Sequence, residues 1–363
     1  MNRIPISHPI VTKEMIDAAS YALANERLVM GESVFKFEEE FARYIGTEYA
    51  ISVSSGTDAL TLASIALGIR GRKVLTTPFS FVATATSIVH AGATPRFADV
   101  SEVDYNLDPK MIKVAKNTGG IMPVDIFGHP ARMDEIVEVA PNVKIIEDAC
   151  QAHGAIYKGK KCGAWGDAGC FSFYPTKNMT VGGDGGMITT NDGRLASDLR
   201  KLRDCGRVSR YEHDVFGFTS RLNTANAAFG RVQLRHLDEW NERRRAIAKR
   251  YADYLKDVSE IALPPMDSKD VTPVFHLFAI RCDGRDELAA HLASHGIDTA
   301  VHYPIPIHMQ PVYRSDYGYE GREFPVSERL SKEMLSLPMF PEMTDEQVDR
   351  VCEVLIEHYR WLT

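Results

Sequence analysis

A chain of 363 residues exceeds one ordinary domain and suits two, or one large α/β domain with an appendage. Hydrophobic content of 44% and charged content of 25% are those of a soluble globular protein with a full core, and a net charge of −7 argues against a nucleic-acid partner. No apolar run reaches the roughly eighteen residues of a membrane span. The opening Met1-Asn2-Arg3-Ile4-Pro5-Ile6 lacks the apolar stretch of a signal peptide, so a cytoplasmic location is expected. The six cysteines (150, 162, 170, 205, 282, 352) show neither CxxC pairs nor metal-type spacing with histidine; reduced thiols and no metal are expected.

Residues 13–27 have the apolar spacing of an amphipathic helix, and 34–44 form another, stopped by Gly46. Strand and helix patterns then alternate. Ala50–Val53 reads as a strand, Ser54–Thr57 as a turn, and a helix runs to Leu67. Lys73–Thr77 is a strand followed by a helix over Ser80–Ala91; Pro95–Ala98, Gly120–Val124 and Val143–Asp148 continue the series. Such alternation implies βαβ units around a mostly parallel sheet, with ligands beyond the carboxyl ends of the strands. Ser54–Thr57, Thr77–Phe81 and Asp148 are thereby expected to meet.

From Leu222 to Leu255 the pattern is one or two long helices, with Glu242-Arg243-Arg244-Arg245 read as a solvated face rather than a phosphate-binding patch. A smaller α/β portion follows: a strand over His276–Ile280, a helix near Glu287–His295, a Pro-rich loop over Tyr303–His308 and a final helix over Asp345–Tyr359. The expected units are 1–240, a large cofactor-binding domain, and 241–363, a small C-terminal domain.

The chemistry gathers around Lys177, in Phe171-Ser172-Phe173-Tyr174-Pro175-Thr176-Lys177-Asn178, ahead of the glycine cluster Gly182–Gly186. Most lysines are surface charges, but here a strand ending in Glu147-Asp148 lies upstream and a serine sits on the preceding strand. A pyridoxal 5'-phosphate (PLP) enzyme requires this set. The lysine forms the Schiff base, an aspartate keeps the pyridine nitrogen protonated, and hydroxyls and amides hold the phosphate. Asp148 alone could simply cap the next helix. Ser54-Ser55-Gly56-Thr57 alone could be an ordinary N-cap, yet a hydroxyl-rich turn entering a helix also offers free N–H groups to an anion. Phe81 could stack on the cofactor ring. The glycine cluster lacks the spacing of a nucleotide loop and reads as a tight turn near the site.

These motifs, with Phe37-Glu38-Glu39-Glu40-Phe41-Ala42, Phe81-Val82-Ala83-Thr84-Ala85, Glu147-Asp148-Ala149-Cys150-Gln151-Ala152 and Leu337-Pro338-Met339-Phe340-Pro341, occur in an order that resembles the DegT/DnrJ/EryC1/StrS sugar aminotransferases nearly end to end. The resemblance implies PLP-dependent transferase fold type I. It also implies a mostly parallel central sheet with flanking helices and a smaller C-terminal α/β domain. It makes Lys177 the Schiff-base lysine and Asp148 the ring-nitrogen partner, with Gln151 near the ring hydroxyl. Gly56, Thr57 and Ser172 would hold the phosphate, and Phe81 would stack on the ring.

The implied reaction moves an amino group from an amino acid, usually L-glutamate, to a nucleotide-linked keto-sugar, in a homodimer with shared sites. Met30, Gly31, Tyr303 and His308 are the candidate substrate contacts. One departure stands out: Gly217-Phe218-Thr219-Ser220-Arg221 carries Thr219 where the family usually has the asparagine that reaches a neighbouring subunit's phosphate. A cyclitol aminotransferase, a PLP-dependent sugar dehydratase and a PLP-binding regulator without turnover are the alternatives. Lysine rather than histidine at 177 argues against the dehydratase, and the absence of a helix-turn-helix or basic extension argues against the regulator.

Overall fold

In a computed structural model, residues 3–360 are described; Met1, Asn2 and 361–363, which the expected domains include, lie outside the described residues. Helices α1 (Lys13–Asn25) and α2 (Glu32–Ile45) open the chain. Gly46 ends α2 in the left-handed region at φ 87°, as the sequence predicts; α1 stops at Asn25, two residues short of the expected end, and Thr12 caps its start by accepting from the Met15 N–H. There follow β1 (Tyr49–Val53), α3 (Gly56–Ala66), β2 (Lys73–Thr76), α4 (Ala83–His90), β3 (Thr94–Phe97), β4 (Thr118–Met122), α5 (Met133–Val139) and β5 (Lys144–Asp148). Next are β6 (Ile156–Tyr157), β7 (Lys160–Lys161), β8 (Ala168–Ser172), β9 (Gly186–Thr190), α6 (Gly193–Arg203) and the long α7 (Thr224–Leu255). The C-terminal part holds β10 (Ile261–Ala262), β11 (Val271–Thr272), β12 (Phe278–Cys282), α8 (Arg285–Ser294), α9 (Pro311–Tyr317), α10 (Pro325–Glu333), β13 (Met334–Leu337) and α11 (Asp345–Arg360).

Seven strands form one sheet in the order β1-β9-β8-β5-β4-β2-β3. Every neighbouring pair is parallel except those made by β9, which runs against both β1 and β8. The strands are buried almost continuously, as a sheet covered on both faces requires. Two apolar layers cover it, one including Phe37, Phe41, Phe171 and Phe173, the other Leu60, Leu62, Ile88 and Leu199. The mostly parallel sheet with flanking helices is thus the expected architecture.

A second sheet, β10-β12-β13, is antiparallel and packs with α8 and α11 into a separate apolar core. Ile4 belongs to that core, so the N-terminal segment reaches into the C-terminal half; the Ile4 N–H donates to Gly296 O at 2.8 Å. The boundary expected at 240/241 falls inside α7, a continuous helix. Leu234 and Leu237 pack in the large core; Ile247, Tyr251 and Leu255 pack in the small one.

The arginine run on α7 corrects its sequence reading. Arg244 is only 4% exposed, and its guanidinium donates to the carbonyls of Phe275 (3.2 Å) and Met339 (3.1 Å), while Arg243 donates to Met343 O (2.6 Å). α7 keeps a solvated stripe through Arg235, Glu239, Glu242, Ala246, Lys249 and Asp253, but Arg243 and Arg244 lie off it and tie chain segments together instead. Helices α9 and α10 were not legible in the sequence, because both are short and begin at a proline after a loop.

Candidate active site

The carboxyl ends of β1, β2, β5 and β8 open on one cavity of about 410 Å³, within the roughly 300–1,000 Å³ usual for small-molecule sites. The sequence motifs converge there because every parallel strand delivers its following loop to the same edge. Gly56, Thr57, Phe81, Asp148, Gln151, Ser172, Lys177 and Tyr303 all line it.

Asp148 ends β5 and is 3% exposed. Thr84 Oγ1 donates to its Oδ2 at 2.8 Å and is itself 2.9 Å from Ser80 Oγ; the Cys150 N–H reaches Oδ1 at 3.3 Å. Burial pushes the carboxyl above its ordinary range, and the Thr84 and Cys150 bonds pull it back. A cationic ring nitrogen opposite would offset that same burial cost through a charge-assisted hydrogen bond.

Lys177 lies in the loop between β8 and β9. Its N–H donates to Tyr174 O at 2.8 Å. The next residue, buried Asn178, donates to Asn241 Oδ1 and to Val274 O, both at 2.9 Å, which fixes the loop to α7. Burial lowers the lysine amine below its ordinary range, against the opposing pull of Cys150 and Asp148. A lowered amine is the form that can attack a carbonyl or accept a proton.

At the other end of the cavity Ser55 caps the eleven-residue α3, accepting from the Asp58 N–H at 3.1 Å. A Cβ at Gly56 would meet Ser172 Cβ at 2.6 Å, and one at Gly186 would meet Ser55 O at 2.3 Å. Only glycine at these two positions lets the start of α3 lie against the ends of β8 and β9. The result is a helix N-terminus beside the hydroxyls of Thr57 and Ser172, a setting suited to a phosphate.

Gln151 Oε1 accepts from the Phe127 N–H at 2.8 Å and its Nε2 donates to the Tyr303 hydroxyl at 3.2 Å, so the amide is oriented from both sides. Phe81 is 55% exposed at the cavity wall, its ring 6.2 Å from that of Tyr303. A lysine, a buried carboxylate, an anion-binding helix end and an exposed aromatic face on one cavity fit PLP.

Four candidates lie elsewhere. Thr219 is exposed on the segment joining α6 to α7, its hydroxyl 3.3 Å from Cys205 Sγ. Met30 packs against the core beneath α2, and Gly31 caps α2 with its N–H on Thr224 Oγ1 at 3.1 Å. His308, expected at the substrate side, has no exposed surface: its Nε2 is 3.1 Å from Glu328 Oε1, and the rings of Phe97, Tyr319 and Phe324 surround it. That aromatic cluster, assembled from distant segments, closes over the loop histidine.

The structure also brings in residues the sequence reading passed over. Thr84 touches Asp148, and Cys150, His276 and His302 line the cavity. Burial holds both histidines below their ordinary range, His302 at about 4, so both are neutral at physiological pH. Thr84 lay within a quoted motif; the histidines carried no local signal.

The family model described as the DegT/DnrJ/EryC1/StrS aminotransferase family matches residues 9–356. A "Pleiotropic regulatory protein" of Geobacillus stearothermophilus is 41% identical over 96% of this chain and 95% of its own length. A dTDP-3-amino-3,4,6-trideoxy-alpha-D-glucose transaminase of Streptomyces venezuelae is 40% identical over 94% and 90%. The crystal structure of S. venezuelae DesV in complex with a ketimine intermediate superposes with a TM-score of 0.95 at 38% identity, covering 99% of both chains. With the cavity built as it is, the chain belongs to the DegT/DnrJ/EryC1/StrS aminotransferase family and is a PLP-dependent transaminase.

Proposed function

We propose that this enzyme transfers an amino group from L-glutamate to a nucleotide-linked keto-sugar in amino-sugar biosynthesis. The observation that carries the reading is the convergence of Lys177 and Asp148 on one cavity that ends in the α3 N-terminus. Relatives named as dTDP- and UDP-sugar aminotransferases, 38–40% identical over nearly the whole chain, support the acceptor class.

PLP, when bound, supplies a carbonyl for the substrate amine and a ring that accepts the electron pair released at carbon. The rest falls to the chain. Gly56, Thr57 and Ser172 would hold the phosphate, Asp148 would face the ring nitrogen, Gln151 the ring hydroxyl, and Phe81 would pack on the ring. Lys177 Nζ, its pKa lowered by burial, removes the proton from the donor's Cα and returns one to the acceptor's carbon. Neutral His276 and His302, with Tyr303, line the side supplied by the second half of the chain. In this reading 1–240 is the cofactor-binding unit and 241–363 the smaller unit that closes the cavity.

A second copy of the chain would complete the site. Phe216 is fully exposed, and Tyr211, Val215 and Phe218 beside it are exposed apolar side chains on the segment that carries Thr219. A homodimer that buries this segment would bring Thr219 towards the partner's phosphate.

Absorbance tests the chemistry. Adding L-glutamate to the PLP-loaded enzyme should replace the band of lysine-bound cofactor with that of its aminated form, and Lys177→Ala should lack the lysine-bound band from the start. A panel of nucleotide-linked keto-sugars should restore the original band. No change with any amino acid overturns transamination; a change with L-glutamate that no keto-sugar reverses overturns the acceptor.

A further inference from the structure

Behind the cavity, on the far side of Asp148, two fully buried carboxylates and a thiol crowd together. Asp125, Glu147 and Cys162 have no exposed surface, and their ligand atoms all lie within 4.8 Å of one another. Glu147 adjoins Asp148 at the end of β5. The Asp125 N–H donates to Asp148 O at 3.1 Å, so Asp125 also holds the backbone that presents the catalytic carboxylate.

The hydrogen bonds assign charge within the pair. Both Glu147 oxygens are occupied as acceptors: Oε1 takes the Gly163 N–H at 2.7 Å and Oε2 the Trp165 N–H at 3.0 Å. Asp125 Oδ1 accepts from the Ala131 N–H at 2.8 Å, whereas Oδ2, equally buried, has no well-formed hydrogen-bond partner, and the side-chain donor that acts on this carboxyl is the weak S–H of Cys162. An orphaned buried oxygen beside an anion is costly, and two adjacent buried anions cost more. A proton on Oδ2 removes both difficulties, since the oxygen becomes a donor and the pair carries one charge.

We propose that Asp125 is a positioning residue that carries a proton at neutral pH: its Oδ2–H donates to ionised Glu147, and this single-proton clamp holds the ends of β4 and β5 that set Asp148 in place. The other titratable groups acting on the pair are the thiols of Cys162 and Cys170 and the carboxylate of Asp148, all of them anionic when charged. Burial and Glu147 together hold the Asp125 carboxyl well above its ordinary range, in keeping with the clamp.

The test uses the cofactor-free and PLP-loaded enzyme and two conservative variants. Asn at 125 mimics a protonated aspartate, keeping an acceptor for Ala131 and a donor for Glu147. Asp125→Asn should therefore fold, bind PLP and turn over within about threefold of wild type. Its infrared spectrum should lack the C=O stretch of a buried protonated carboxyl that the wild type shows near neutral pH.

Because the folded state holds this proton and the unfolded chain releases it above about pH 4, the clamp's stabilisation is complete below that pH. It is lost as pH rises through the folded value. The ratio of folding constants, Asp125→Asn over wild type, should thus grow by up to about tenfold per pH unit above pH 4. Glu147→Gln should be far more damaging, because its amide nitrogen must face one of two backbone donors. A wild type without the protonated-carboxyl band, or an Asp125→Asn variant with an unchanged pH dependence, overturns the proposal. Stabilisation of wild type but not Asp125→Asn by added Zn²⁺ would also overturn it, by showing a metal site. Failure of transamination would leave these readouts untouched.

Discussion

The carboxyl edge of the seven-stranded sheet and the C-terminal core around β12 and α11 are buried to the same depth but hold opposite chemistry. At the sheet edge, Asp125, Glu147, Asp148, Thr84 and His153 sit at 3% exposure or less. In the C-terminal core that depth is filled by Phe278, Ile280, Leu335, Val351 and Leu355. Apolar burial contributes stability wherever it occurs. Buried polar groups must be satisfied one by one, and the strand-end carboxylates are held by named donors from Thr84, Cys150, Gly163 and Trp165. One region makes the molecule stable; the other spends that stability on placing charges where a cofactor needs them.

The contrast can be broken most sharply at Asp148. Asp148→Asn should leave the fold intact, since the amide is isosteric and the Thr84 hydroxyl can rotate to accept. Turnover should fall roughly a thousandfold, about 4 kcal/mol of transition-state stabilisation. Steady-state kinetics beside a thermal melt decides it, and a near-wild-type rate would reduce the carboxylate to a capping group.

The reverse experiment is made in the other core. Leu355 is fully buried on α11, and Leu355→Ala should cost about 3 kcal/mol of stability through lost burial and a residual cavity. Turnover per folded molecule should stay unchanged. Urea denaturation with active-site titration measures both, and a large loss of specific activity would show that the C-terminal core is part of the catalytic machinery.

The smallest effect sharpens the cost of polar burial. His153 packs between Phe171 and Phe173, with ring centroids at 5.3 and 5.8 Å, and neither ring nitrogen has a hydrogen-bond partner within ordinary reach. Burial first, then Lys177, lowers its folded pKa to about 3. The unfolded chain therefore binds a proton that the folded one refuses. Stability is fully present above the ordinary histidine range and is lost as pH falls from there towards 3. His153→Phe should gain about 1 kcal/mol at pH 7 and lose less stability than wild type between pH 7 and pH 5. Equal urea midpoint shifts in the two proteins would count against this account.

The alternating strand and helix patterns up to Asp148 were legible because each strand is a short apolar run punctuated by turn residues. The convergence of the candidate set on one cavity was legible because Asp148 and Ser55-Gly56-Thr57 stand at the ends of such runs and Lys177 follows another in the loop after β8. His308 shows where that reasoning stops. Its Pro-rich loop looked open, but the rings of Phe97, Tyr319 and Phe324, far apart along the chain, enclose it. Arg244 misled in the same way: a charged helix face reads as solvated until a second core is packed against it.

By itself, then, the sequence determined the strand order of chemistry: which residue types follow which strands, and hence which meet at the carboxyl edge of a parallel sheet. Periodicity and turn residues are local properties, and a parallel sheet converts them into a shared edge without further information. Only the tertiary structure decided that Thr84 would hold Asp148, that His276 and His302 would arrive from the second core, and that Asp125 would face Glu147 in the dark behind the site. Those pairings join residues separated by tens to hundreds of positions, and nothing in local periodicity encodes which buried polar group another will meet.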